Sequence, residues 1–113
     1  MGRRKTDAQL ESEFQADLIE ELKHRFPGCE ILKNDAGHRQ GIPDLVILWN
    51  HHWAMLEVKA YEGAPERPNQ AYYVDKFDGM SFAAFIYPEN AEAVLDAMES
   101  AFLPARHARA ARR

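Results

Sequence analysis

The sequence predicts an α/β fold in which three helices and four strands alternate as α-β-β-β-α-β-α. Two stretches carry apolar residues at three- and four-residue steps, as amphipathic helices do. Two short apolar runs, Leu45–Trp49 and Trp53–Ala60, are separated only by Asn50-His51-His52, as in a β-hairpin. Proline and glycine fall between the periodic segments rather than inside them.

Taken in order, residues 7–26 read as the first helix, with Leu10, Phe14, Leu18, Ile19, Leu22 and Phe26 on one stripe. Thr6 or Asp7 is its N-cap and Pro27-Gly28 ends it. Glu30–Asn34 is a short strand. The polar loop 35–41 follows, and a loop of that kind lies at the surface, within reach of a ligand. The hairpin comes next. His51 and His52 are adjacent, so in extended chain they point opposite ways and cannot grip one metal ion together; a turn is their expected home. Trp49 and Trp53 flank it and are expected to pair across the hairpin or to cover one end of the core. Tyr61–Asn69, with Gly63, Pro65 and Pro68, is a loop. Asn69–Phe77 reads as a helix with Tyr73, Val74 and Phe77 inward, stopped by Asp78-Gly79. Ser81–Tyr87 is apolar nearly throughout, which implies a central or covered strand. Glu89–Phe102 forms the last helix, ended by Pro104.

The charges inside the hairpin are the anomaly. Asp44 opens its first run, and Glu57 and Lys59 lie inside its second. Strand alternation puts Glu57 and Lys59 on one face, and charges in an apolar strand cost several kcal/mol unless each has a partner. The hairpin brings Asp44 towards both. Two carboxylates in one place repel, so a positive ion belongs between them, and oxygen donors at that density suit Mg²⁺ or Mn²⁺.

Pro43-Asp44, twelve further residues and then Glu57-Val58-Lys59 resemble the signature of the PD-(D/E)XK nucleases. With Gly41-Ile42 before it and Gln70 after it, the pattern is similar to VRR-NUC-type nucleases and to phage or archaeal Holliday junction resolvases, over residues 9–90. The resemblance implies a restriction-endonuclease-like core, a mixed four-stranded sheet flanked by helices, and Mg²⁺-dependent hydrolysis of DNA phosphodiester bonds, with Mn²⁺ able to substitute. It implies Asp44, Glu57 and the Val58 carbonyl as metal ligands and Lys59 as the residue that orients or deprotonates the attacking water or stabilises the phosphate. It places Gln70 beside that lysine. It also implies one glutamate from the first helix: Glu13, which precedes Phe14-Gln15 in a pattern like the family's helix, with Glu11 as the alternative. A four-way junction is the favoured substrate, cut by a homodimer with two sites; a flap, mismatch or general endonuclease is the runner-up. Two other readings stay open. One is a DNA-binding module that no longer cleaves; the other is an α/β protein whose Glu57–Lys59 pair is an ion pair at a sheet edge.

Length and composition agree with one small domain: 113 residues, 46% hydrophobic. The single cysteine, Cys29, forbids an internal disulfide and fits a reducing cytoplasm, bacterial or phage-infected. No apolar run approaches the roughly 20 residues of a membrane span, and no apolar segment follows the N-terminal basic residues. The net charge of −4 is unevenly spread. Residues 3–5 and Arg106, Arg109, Arg112 and Arg113 hold seven of the 14 Lys+Arg, leaving seven against 18 Asp+Glu. Basic tails, at about 1–6 and 104–113, can contact phosphates where an acidic body does not, or can simply be solubilising. Lys33, His38 and Arg39 are further candidate phosphate contacts.

Overall fold

The computed structural model describes residues 4–35, 37 and 39–103. Helix α1 (Asp7–Arg25) starts on a capping box: the Thr6 hydroxyl accepts from the Gln9 N–H, and the Gln9 side chain accepts from the Thr6 N–H. Strands β1 (Glu30–Lys33), β2 (Leu45–Trp49) and β3 (His52–Val58) form an antiparallel meander. Helix α2 (Gln70–Met80) then crosses over to β4 (Phe82–Ile86), which runs parallel to β3. Helix α3 (Ala91–Phe102) completes the expected order in a mixed sheet β1-β2-β3-β4. The hairpin loop is tighter than expected. Trp49 already faces His52, so only Asn50 and His51 turn, with Asn50 at φ +56° as a two-residue loop requires at its first position.

Strand alternation sorts the sheet into two faces. Leu45 and Ile47 of β2, Ala54, Leu56 and Val58 of β3 and Ile86 of β4 are buried against Leu18, Leu22 and Phe26 and against Leu95, Met98 and Phe102. Arg25 reinforces this layer, its guanidinium 2.7 Å from Asp96 of α3. At the hairpin end Phe26, Trp49, His52 and Phe102 form an aromatic cluster, with Phe26–Trp49 and Phe26–Phe102 centroids 5.2 and 5.4 Å apart. The opposite face carries α2 over β3 and β4, with Trp53 set edge-on to Phe77. Trp49 and Trp53 therefore lie on opposite faces and do not pair across the hairpin.

One further expectation changes. Helix α2 runs through Asp78-Gly79 to Met80 and is capped at Ser81, whose N–H donates to the Phe77 carbonyl. Gly79 stays helical, and the Asp78 carboxylate accepts from the Ala83 N–H, tying the helix end to β4. Strand β4 is the covered strand that its apolar run implied, and it lies at the edge of the sheet. Its unbroken apolar run reflects cover from α2 on one face and α3 on the other. Among the described residues no helix is long and apolar enough to cross a membrane.

Phe102 is 2% exposed and touches Phe26, Trp49 and His52. Phe102→Ala should cost about 3–5 kcal/mol in urea unfolding. A loss below about 1 kcal/mol would show that the cluster can collapse around the gap.

Candidate active site

The β2–β3 register pairs Leu45 with Leu56, and one step further along it Asp44 faces Glu57. Both carboxylates lie on the α2 face because their neighbours fill the α1/α3 face. Asp44 is anchored on two sides. Its carbonyl accepts from the Asn34 N–H at 2.8 Å, and its Oδ2 accepts from the Val58 N–H at 2.9 Å. Asn34 also donates through Nδ2 to the Pro43 carbonyl. Gly41 brings the preceding loop in close. It sits at φ +92°, and a Cβ there would fall 2.7 Å from Asn69 Cβ, so only glycine lets this loop pass against the start of α2.

Glu57, Lys59 and Gln70 are buried polar residues, 3%, 7% and 6% exposed. Lys59 Nζ donates to Gln70 Oε1 at 2.6 Å and to the Pro65 carbonyl at 3.0 Å. Gln70 Oε1 also accepts from the Arg67 N–H, so its amide can point only one way, and Nε2 donates to Glu57 Oε2 at 2.9 Å. One amide thus joins the lysine to the carboxylate. The bonds from Asn34 and from the 65–67 segment are contacts that the sequence did not announce; short loops carry no periodicity to read.

Glu57 Oε1 is buried and has no hydrogen-bond partner. An orphaned buried acceptor costs about 1–3 kcal/mol, more when charged. The Glu57 carboxyl is accordingly pushed up to about 9, chiefly by burial and then by the neighbouring Asp44 carboxylate; Lys59 pulls the other way. The site therefore has a hole in its donor inventory, and a hard cation fits it, since the atoms facing the hole are carboxylate oxygens. Among the described residues no three Asp, Glu, His or Cys side chains converge closely enough to cage an ion alone.

The helix glutamate in this neighbourhood is Glu11. It is half-buried, and its carboxyl is raised by burial and by Asp44 and lowered by Lys59 and Arg67. The choice of Glu13 is corrected: Glu13 is exposed and pairs with Lys5 at 2.7 Å. Two residues rotate a helix by roughly 200°, so Glu11 and Glu13 cannot share a face. A cleft of about 260 Å³ opens here, lined by Asp7, Glu11, Lys59, Glu66 and Arg67 among others. Lys33 is exposed on edge strand β1, opposite Leu45, and so on the face away from the carboxylates. Arg39 is exposed in the loop before Gly41. His38, Arg106 and Arg109 lie outside the described residues. His52 belongs to β3 and stacks on Phe102.

Because the folded protein holds the Glu57 proton more tightly than the unfolded chain, this group's effect on stability is absent below about pH 4.5 and grows as pH rises towards about 9. The metal-free protein should lose stability across that window. Glu57→Gln, which can donate to Asp44, should remove that slope and raise stability at pH 8 by on the order of a few kcal/mol. Urea unfolding at several pH values in EDTA measures it; equal slopes in the two proteins would contradict the assignment.

No protein-family model matches the chain, and no curated protein matches it in sequence. Comparison with solved structures finds similarity to a VRR-NUC domain, with a TM-score of 0.55 and 21% sequence identity, over 72% of this chain and 92% of that one. The chain has the restriction-endonuclease-like α/β fold of that domain.

Proposed function

We propose that this protein is a metal-dependent DNA endonuclease that hydrolyses phosphodiester bonds, selective for branched DNA in the manner of a junction resolvase. The observation that carries the reading is the buried Glu57 carboxylate, facing Asp44 with one oxygen unpartnered and Lys59 fixed beside it through Gln70. A fold alone tolerates such an arrangement poorly; a site that binds a cation and an anionic phosphate needs it.

Asp44 and Glu57 would hold Mg²⁺, with the Val58 carbonyl beside them and Glu11 as the nearby third carboxylate. The ion supplies Lewis acidity, a lowered water pKa and neutralisation of charge on the leaving oxygen. Lys59 has three donors and uses two, on Gln70 and Pro65. Its third N–H is left to stabilise the pentacovalent phosphate. An amine held this way serves better as a donor than as a base. Gln70 keeps Glu57 and Lys59 apart in polarity: it donates to one and accepts from the other. Arg67 joins Lys59 in lining the cleft, opposite in charge to Asp7, Glu11 and Glu66.

A homodimer supplies the two sites that a symmetric junction needs. Trp49 and Trp53 pack in aromatic clusters, whereas on this face α2 lies over β3 and β4. Leu32 of β1 and Leu48 of β2 are 51% and 41% exposed, and Tyr72 and Met80 of α2 are about as open. A second copy that lays its own α2 there would cover all four.

Asp44→Ala or Glu57→Ala should cut Mg²⁺-dependent plasmid nicking by at least on the order of 10²–10³-fold. Glu11→Ala should slow it and Glu13→Ala should not. Lys59→Met should lose rate while calorimetry still detects metal binding. Near wild-type nicking by the Asp44 variant, or wild-type nicking that survives EDTA, would sink the site. Sedimentation at micromolar protein should show a dimer that Leu48→Glu splits, with loss of paired cuts on a synthetic four-way junction. A wild-type monomer that nicks linear duplex as readily as junctions would leave a general nuclease.

A further inference from the structure

Lys59 is a wall of two cavities. One is the cleft shared with Glu11 and Arg67. The other, of about 220 Å³, is lined by Tyr61, Phe85 and Tyr87 together with Lys59, Glu66 and the small residues Gly63 and Ala64. Ala64 and Glu66 also border both, so the cavities are neighbours. Their chemistry differs. The first is lined by carboxylates and cations. The second is lined by three aromatic rings, with Lys59 Nζ 6.0 Å from the centroid of Phe85.

Of the residues given a part in the proposed nuclease reaction, Glu11 and Lys59 line the first cavity, whereas the second has only Lys59 and is left without a task. Pockets for drug-sized ligands run to roughly 300–1,000 Å³, so this one is small. It suits a single flat ring system. Aromatic walls bind any nucleobase through its π-face, without regard to sequence. Glu66 on the rim offers an acceptor to an exocyclic amino group, and acidic side chains accept from such groups in base recognition. A nucleotide has the matching polarity: an anionic phosphate for the Lys59 side and an apolar flat base for the aromatic side.

We infer that the Tyr61–Phe85–Tyr87 cavity holds one unpaired nucleobase of the substrate, next to the phosphate that Lys59 contacts. The inference rests on the nuclease reading for its placement but not for the binding itself. A base stacked within duplex cannot enter such a cavity without leaving its neighbours, which costs a few kcal/mol, whereas an unpaired base enters at little cost. The cavity thereby selects DNA with an unpaired nucleotide at the cut, such as a branch point, over continuous duplex. The Tyr61 hydroxyl donates to Asp7, which lines the neighbouring first cavity, at 2.9 Å.

The test uses 2-aminopurine, a fluorescent adenine analogue, in an oligonucleotide held in EDTA. The full-length protein should quench it in single strand and not in duplex. Tyr61→Leu and Tyr87→Leu, checked for folding by thermal melting, should weaken that quench, with affinity falling about 5- to 100-fold. A second measurement needs no variant: in Mg²⁺, an abasic nucleotide at one position flanking the cut should slow wild-type cleavage by about the same factor. Equal quenching of single strand and duplex, no quenching of either, or cleavage indifferent to every abasic position would overturn the inference. Quenching that follows this pattern from a protein that cleaves nothing would leave the cavity standing and remove the nuclease reading instead.

Discussion

In the β2–β3 hairpin, Leu45 lies opposite Leu56, and the same register brings Asp44 to Glu57. Everything on the α2 face depends on that pairing. A slip of one residue would turn every β3 side chain over, burying Glu57 among the helices of the other face and exposing Leu56. The slip is forbidden by the core rather than by the site. Leu45, Ile47, Ala54, Leu56 and Val58 are fully buried between the sheet and α1 and α3. Hydrophobic burial on one face, at roughly 25 cal/mol per Å², thus fixes a repulsive pair of carboxylates on the other.

The second half of the arrangement comes from the crossover. Strand β4 must run parallel to β3, so the chain leaves the C-terminal end of β3 and returns through a helix. That connection delivers Pro65, Arg67 and Gln70 to Lys59 at the point where the strand ends. Gly41 lets the loop before Asp44 meet the start of the same helix. Two connections from different parts of the chain therefore close on one group of side chains, whose positions are held by packed elements rather than by free loops.

The hairpin, the helices and the three central charged residues were legible because each breaks or obeys a simple period. Glu57 and Lys59 stand out as charges in an apolar strand. The helix glutamate was chosen on its neighbours, Phe14-Gln15, although the helix itself held a better signal. The buried stripe through Leu18 and Leu22, carried back seven residues, arrives at Glu11 and not at Glu13. Asp78-Gly79 read as a stop because that dipeptide suits a left-handed turn, yet Gly79 is equally able to remain helical. The edge position of β4 was not legible at all. Apolar continuity reports what covers a strand's two faces and says nothing about its two sides. The partners of Asp44 and Lys59 in the loops were hidden for a similar reason, since a backbone carbonyl such as that of Pro65 leaves no mark in sequence.

On the proposed metal-dependent reading, the same geometry would couple proton and cation at the site. With the Glu57 carboxyl pushed up to about 9, it carries a proton at neutral pH that the paired Asp44 helps to retain. In the proposed metal-dependent reading, a cation entering between them would displace that proton, so its apparent affinity would rise by up to about tenfold per pH unit until Glu57 is ionised on its own. Glu11 adds negative charge from α1, which favours both the proton and the ion and does not choose between them. The choice falls to the solvent's proton and metal concentrations. On the proposed reading, the charge of such a site would be reduced in either state, by the Glu57 proton without the ion and by coordination with it.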